Sequence, residues 1–168
     1  MKLESLLTQK KAAVLEKWRD LIVQTYPVDA SEFLKRGKDR FQNPVGYAIA
    51  RGTEGIYDAL IEGSASDVLS STIDSIIKIR AVQDFSPSQA VVFVFLLKKA
   101  IREQLAAEMR ENGLSRQLLT FESKIDELAL LTFDSYMRCR EKIHDIRVNE
   151  IRNGTFKLRE RINLADEE

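Results

Sequence analysis

The chain has 168 residues, with 26 Lys and Arg against 26 Asp and Glu, so its formal net charge at pH 7 is zero. That length suits one domain, and the balanced charge gives no general attraction to nucleic acid or to a membrane. The single cysteine excludes an internal disulfide and a multi-cysteine metal site, and the single histidine excludes most zinc and paired-haem sites. Only seven glycines and three prolines are present, which disfavours a turn-rich all-β protein. We expect a cytoplasmic, helical protein that is not an enzyme and holds no cofactor or metal.

No signal peptide and no membrane span are predicted. The N-terminus is charged within its first four residues and lacks an unbroken apolar centre. The longest apolar run covers residues 90–97, only eight residues, whereas a membrane-spanning helix needs roughly 20.

Two helices are predicted before residue 40. Residues 2–26 carry apolar side chains spaced three or four apart, which is typical of an amphipathic helix, and Pro27 ends it. A short helix follows, because Asp29 suits its N-cap and Glu32 stands three residues later, the spacing of a capping box. We expect Gly37 to end this short helix.

The next predicted helix covers residues 44–62. Asn43 is a favoured N-cap, and a proline at the first helical position loses no hydrogen bond. Three glycines interrupt this helix: Gly46, Gly52 and Gly55. Two interpretations stand side by side. The glycines either permit close contact with another helix or leave room for a ligand, or they only weaken the helix locally.

A helix of about residues 67–84, N-capped by Ser66 or Asp67, changes from apolar to polar along one face. That face carries, in order, Leu69, Ile73, Ile76, Arg80, Gln83 and Asp84. Arg80 and Asp84 stand four residues apart and can pair within the helix. This end of the helix is either a structural corner that fixes the angle between two helices, or a pocket for an anion or small ligand. In the pocket hypothesis Arg80 and Gln83 bind the ligand, with Tyr47 or Arg51 facing it.

The clearest local signal in the sequence is Ser86-Pro-Ser-Gln89. Ser86 can cap a helix, proline occupies the first helical position, and Gln89 completes the capping box. The predicted helix covers residues 87–112 and is apolar on all sides over its first turns, so we expect it to be the central, most buried helix. Asn112 followed by Gly113 is a typical helix end.

The last helix is predicted from Ser115 to about residue 152, with Asn153-Gly154 as a break. Residues 1–152 would then form an all-α sensor or regulatory domain, and residues 153–168 a partly helical tail. Between residues 138 and 162 there are eight Lys and Arg against four Asp and Glu. Apolar residues recur among these charged residues, and this pattern favours binding to a protein partner or to a second copy of the chain over binding to nucleic acid. The predicted contact residues are Ile143, Ile146 and Ile151.

Few residues in the sequence are candidates for redox chemistry, metal binding or catalysis. Cys139 lies on the apolar stripe of the last helix, so we interpret it as an inert buried thiol, with a redox sensor as the alternative. His144 stands in a charged stretch and is interpreted as a surface residue, with a haem or metal ligand as the alternative. No phosphate-binding loop, dinucleotide fingerprint, zinc-protease or hydrolase motif is present, so no catalytic residue is predicted.

Three stretches carry a family resemblance: Asn43-Pro-Val-Gly-Tyr47, residues 77–91, and Tyr136-Met-Arg-Cys-Arg-Glu-Lys-Ile143. They resemble the N-terminal domain of RsbRD-type proteins, co-antagonists of the RsbT kinase in bacterial stressosomes. The resemblance implies a sensory all-α domain that is globin-like, lacks haem, dimerises, and passes a signal through a terminal helix to a STAS domain. The sequence ends at Glu168 without a STAS segment, so we expect either a stand-alone family member or the sensory part alone. The family's phosphorylated residues are therefore not carried over to any position here.

Together these patterns predict one all-α domain of about six helices with a long projecting C-terminal helix, arranged either as a globin or as a plain bundle. The predicted function is a non-enzymatic sensor or regulatory module of bacterial stress signalling. It would relay the binding of a ligand or partner through helix packing and the terminal helix. Two alternatives remain: a structural assembly protein, or a haem-free globin-like ligand binder. The residues predicted to line the pocket of such a binder are Trp18, Tyr47, Phe93 and Arg80.

Overall fold

The computed structural model describes residues 2–36, 41–63, 66–83 and 85–165, and over these ranges it contains helices and no strands. The all-α prediction is confirmed. The eight helices of the described ranges are α1 (Leu3–Gln9), α2 (Lys11–Val23), α3 (Val28–Arg36), α4 (Pro44–Glu62), α5 (Ser66–Val82), α6 (Pro87–Gln104), α7 (Ala106–Asn112) and α8 (Ser115–Ala165).

Two of the predicted helices are each divided once in the structure. This division explains why there are eight helices in the described ranges and not the predicted six or so. Lys10 (φ −96°, ψ 9°) separates α1 from α2, and Leu105 (φ −113°, ψ 11°) separates α6 from α7. Neither position is a glycine or a proline, so no local signal marks either break. Leu105 is completely buried, which makes its backbone conformation a matter of core packing rather than of helix propensity.

The predicted helix ends are mostly confirmed. The Asn43 side chain accepts a hydrogen bond from the Gly46 amide at 2.8 Å, and Ser86 with Gln89 forms a complete capping box. Gly113 follows α7 with φ +61°, a conformation that favours glycine. The predicted N-cap Asp29 is wrong, because α3 begins at Val28 and places Asp29 in the first turn. Gly37 and the side chains of Ser66 and Asp67 lie outside the described residues.

The core surrounds α6, as predicted. This helix packs against α2 on one side and α8 on the other, and α5 packs against both α4 and α8. Trp18 of α2 stacks on Phe93 of α6 with ring centroids 6.5 Å apart, and its indole N–H donates to the Phe93 carbonyl oxygen at 2.7 Å. Both side chains are completely buried.

The glycines of α4 allow close contact with α5. A Cβ at Gly52 would lie 2.5 Å from Ile76 Cδ1, and a Cβ at Gly55 would lie 3.0 Å from Thr72 Cγ2. The first distance is below any real carbon contact, so α5 approaches α4 as closely as it does only because residue 52 has no side chain. Of the two interpretations of these glycines, the structure supports close helix contact.

The long helix α8 has 51 residues and is therefore roughly 76 Å long at 1.5 Å per residue. The predicted break at Asn153-Gly154 is wrong, because α8 continues through both residues to Ala165. A glycine costs a helix only about 1 kcal/mol relative to alanine, which is too little to end one that is otherwise favourable. Among the described residues, no helix is long and apolar enough to cross a membrane.

Candidate functional site

Arg80 is completely buried near the end of α5, and it lacks a carboxylate partner among the described residues. Its Nη1 donates to the Gln89 carbonyl oxygen at 2.8 Å, and its Nη2 lies 3.5 Å from Thr25 Oγ1, the limit of a hydrogen bond. Its Nε has no hydrogen-bond partner in the part of the chain that the structure describes. A buried cation in this state is unusual, since buried charges are ordinarily paired and their hydrogen bonds satisfied.

Three aromatic rings surround the guanidinium instead. Its central carbon lies 5.0 Å from the ring centroid of Phe85, 5.3 Å from that of Phe93 and 5.4 Å from that of Tyr26. Cation–π attraction to these rings offsets part of the desolvation cost. Burial lowers the pKa of Arg80, and the adjacent Tyr26 oxygen opposes that shift. Arginine nevertheless stays protonated at neutral pH because its ordinary pKa lies so high.

A cavity of about 570 Å³ opens beside this arginine. Its walls are formed by Thr25, Tyr26, Pro27, Ala30, Gln83, Phe85 and Gln89. Four of these seven residues contact Arg80 through the hydrogen bonds and ring contacts described above. The Tyr26 hydroxyl donates to Gln83 Oε1 at 3.3 Å, an exposed hydrogen bond across the cavity. Arg80 and this wall are called the Arg80 corner below.

The structure brings together only part of the predicted site. Arg80 and Gln83 meet at the corner, through Tyr26. Tyr47 is half-buried on α4, and Arg51 is exposed there, 3.9 Å from Glu54, and neither lines the cavity. The reason is position along α5: Ile76 packs against Gly52 of α4, whereas Arg80 lies one turn further on and contacts α6 and the residues that follow α2. Asp84 lies outside the described residues.

The predicted pocket of the ligand-binding alternative is filled rather than open at two of its residues. Trp18 and Phe93 stack on each other in the core, and Phe93 also lies beneath the Arg80 guanidinium. The site residues that the sequence did not indicate are Thr25, Tyr26, Phe85 and Gln89. The sequence signal for this site was Arg80 itself, because it is a charged residue that continues the apolar stripe of its helix.

The first half of α8 is hydrogen-bonded to the Arg80 corner. The Tyr136 hydroxyl donates to the Phe85 carbonyl oxygen, and Arg140 Nη1 donates to the Ala81 carbonyl oxygen at 3.2 Å. Tyr136 is almost completely buried. These two carbonyls lie one and five residues after Arg80, so α8 is hydrogen-bonded directly to the segment that follows the arginine.

Cys139 and His144 differ in their surroundings. Cys139 is half-buried against the core, and burial, aided by the Asp74 carboxylate, raises the pKa of its thiol. The thiol is therefore protonated at neutral pH, in agreement with an inert cysteine. His144 is exposed on α8. Among the described residues, no three His, Cys, Asp or Glu side chains lie close enough together to hold a metal ion.

The three predicted contact residues of α8 do not share a face. Ile143 packs partly against the core, whereas Ile146 is 50% exposed and Ile151 is 69% exposed. Ile151 belongs to a set of residues spaced seven apart, all of them exposed, that we call the heptad face: Leu130, Met137, His144, Ile151 and Leu158.

The start of the heptad face is strongly apolar. Beside Leu130, the exposed rings of Phe95 from α6 and Phe133 from α8 line an apolar groove of about 710 Å³. The seven-residue spacing is that of helices that wrap around one another. A contiguous apolar surface of this kind marks an interaction site more often than an ordinary surface.

Comparison with known proteins agrees with the resemblance found in the sequence. Residues 12–151 match the profile of the family described as "RsbT co-antagonist protein rsbRD N-terminal domain". An uncharacterized protein of Archaeoglobus fulgidus is 28% identical over 142 residues, which cover 82% of each chain. No solved structure matches the chain significantly. The protein therefore belongs to the family of rsbRD N-terminal domains of RsbT co-antagonist proteins, a stress-signalling family.

Proposed function

We propose that the protein is a non-enzymatic regulatory module of bacterial-type stress signalling in the cytoplasm, and that α8 relays the state of the Arg80 corner. The observation that carries this proposal is the pair of hydrogen bonds from Tyr136 and Arg140 to the carbonyls of Phe85 and Ala81. A helix that is hydrogen-bonded to the segment after Arg80 is expected to respond when the corner changes conformation.

The output end of this relay is the second half of α8. From His144 to Arg159 nearly every side chain is exposed, so this part makes few contacts within its own chain. A single exposed helix of this length is only marginally stable in water. Small changes at the corner can therefore shift its order or its pairing, because little free energy opposes them.

Self-association through the heptad face would stabilise that second half. In a parallel pair, each heptad-face residue of one copy meets its counterpart in the other, and the groove around Phe95 and Leu130 extends the contact at the base. Exposed leucine, methionine and isoleucine side chains at four of the five positions favour burial in such a pair. A homodimer is the simplest assembly that satisfies this pattern.

Sedimentation of the full chain tests the dimer. Ile151→Glu places a charge on the heptad face and is expected to convert a dimer into a monomer at micromolar concentration. Ile146→Glu is the matched control, since Ile146 is similarly exposed but lies off that face. A wild-type protein that stays monomeric, or equal dissociation by both variants, would contradict the proposal.

Hydrogen exchange tests the relay itself. Tyr136→Phe and Arg140→Gln remove the two hydrogen bonds, and we expect amide exchange in residues 144–159 to accelerate several-fold while α6 stays protected. Arg102→Gln is the control, because the exposed Arg102 pairs with the buried Glu122 carboxylate of α8, away from the corner. If the corner variants change exchange only near residues 81–85, α8 does not carry the signal.

The cavity beside Arg80 favours a second candidate function, the binding of a small ligand. Its volume lies in the range of about 300–1,000 Å³ that is usual for ligand pockets. The two functions are compatible, since a bound ligand is one way to change the corner. A purely structural assembly protein would show the dimer but no response to a ligand.

A further inference from the structure

We propose that the cavity of the Arg80 corner binds a small organic carboxylate whose two oxygens pair with the buried guanidinium. The inference deepens the proposed relay by naming the chemical class of its signal. Three observations support it: the unpaired edge of the guanidinium, the composition of the cavity wall, and the absence of a second cation along that wall among the described residues.

The unpaired edge of the guanidinium is the strongest of these observations. Arginine binds a carboxylate side-on through Nε and one Nη, two parallel donors that match two oxygens. Arg102 does so in this protein, with its Nε and Nη2 donating to the two Glu122 oxygens at 2.6 and 2.7 Å. At the same edge of Arg80, Nε has no hydrogen-bond partner among the described residues and Nη2 has the 3.5 Å contact with Thr25, while the Tyr26 oxygen is adjacent. The whole side chain is buried behind the cavity wall.

The wall of the cavity fits an organic acid. Pro27, Ala30 and Phe85 offer apolar surface to a hydrocarbon body, and Gln83 offers an amide to further polar groups. The rings of Tyr26 and Phe85 stand edge to face with centroids 5.3 Å apart, and both are half-buried. Rotation of one ring, with loss of the weak bond from Tyr26 to Gln83, would open the way to Nε.

The single positive charge at this site favours a ligand with a single negative charge. Neither lysine, arginine nor histidine lines the cavity, so Arg80 behind the wall is the single cation at this site among the described residues. A phosphate dianion would bring one negative charge too many into a partly buried place, whereas one carboxylate balances the guanidinium. Desolvated ion pairs of this kind are favourable only when their charges and hydrogen bonds are complete.

Thermal unfolding of the full chain with small probes tests the proposal. Benzoate and butyrate are compared at constant ionic strength with benzamide, butyramide and inorganic phosphate. We expect saturable binding of a carboxylate, with Tm raised by about 3–6 °C at ten times Kd. The neutral amides and phosphate are expected to leave Tm unchanged. Failure of both carboxylates at tens of millimolar, or an equal effect of phosphate or the amides, would overturn the proposal.

Variants locate the binding. Ala30→Trp fills the cavity while leaving Arg80 in place, and we expect it to abolish the carboxylate effect in a folded protein. Arg80→Gln should do the same if it folds, whereas Arg102→Gln should bind as the wild type does. Binding that survives Ala30→Trp would overturn the assignment to this cavity.

Asp84 is tested directly, because it neighbours the site in sequence. If Asp84 already neutralises Arg80, Asp84→Asn should destabilise the protein strongly and create the carboxylate binding that the wild type lacks, which would overturn the proposal. If the cavity is open to a ligand, Asp84→Asn should leave carboxylate binding in place. These outcomes are separate from the relay, because sedimentation and hydrogen exchange without any probe decide that function independently.

Discussion

The two halves of α8 show how one continuous helix can depend on different stabilising contacts. In the first half, Ile125 and Leu128 are almost completely buried against the helices that surround the core, whereas in the second half Ile151 and Leu158 are more than 60% exposed. Backbone hydrogen bonds are the same in both. The comparison teaches that packing within the chain stabilises residues 115–143, whereas residues 144–159 have few such contacts and would gain stability from a partner.

The largest expected effect is a loss of stability that occurs when a leucine is shortened in the first half of α8 but not in the second. Leu128→Ala removes a buried side chain and leaves a cavity, and it should lower the free energy of unfolding by about 2–5 kcal/mol. Leu158→Ala makes the same chemical change in the exposed half and should change the stability of the monomer by less than about 0.5 kcal/mol. Urea unfolding at a concentration that favours the monomer measures both. Similar losses would show that the second half is packed against its own chain.

High pH should weaken only the packed part. The Tyr57 hydroxyl donates to the Leu7 carbonyl oxygen at 3.0 Å, and burial raises the pKa of Tyr57 above its ordinary value of 10.0. The unfolded chain releases this proton first, so the contribution is complete below about pH 10 and is lost as pH rises further. The second half of α8 contains no tyrosine between residues 144 and 159.

Tyr57→Phe checks that assignment. At neutral pH it should cost about 1–3 kcal/mol, since the buried Leu7 carbonyl loses its donor. The variant should also lose stability less steeply than the wild type between pH 10 and 11.5, as measured by urea unfolding. An unchanged pH dependence would assign the decline to other groups, such as Tyr26, whose pKa burial also raises.

Replacing two glycines by alanine should give the smallest changes in stability, and the two changes should have opposite signs. Gly52→Ala would force a Cβ to within 2.5 Å of the buried Ile76 and should destabilise by about 1–2 kcal/mol, even though alanine favours the helix. Gly154→Ala meets no atom within 4 Å and should stabilise α8 by up to about 1 kcal/mol. Circular dichroism during thermal unfolding measures both. A loss of stability in Gly154→Ala would mean that another surface contacts this position.

Much of the fold follows from signals that act within four residues. The caps at Asn43 and Ser86 and the helix end at Gly113 were predictable, because each depends on hydrogen bonds or backbone freedom set by neighbours in sequence. The family was equally visible, since its motifs are contiguous. Of the candidate site, the sequence indicated Arg80 and Gln83, because a polar end to an apolar stripe is itself a local pattern.

The remaining features depend on residues far apart in the chain. Arg80 and Thr25 are 55 residues apart, and Tyr136 and Phe85 are 51 apart, so only packing could bring either pair together. The break at Leu105 and the continuation of α8 through Gly154 likewise follow from tertiary burial and from the summed propensity of a long helix. The sequence alone determined the helices, their caps and an arginine on an apolar face. The tertiary structure decided that this arginine lies buried among three rings with its Nε unpaired by any described residue, because the positions of its neighbours depend on how α2, α5, α6 and α8 pack.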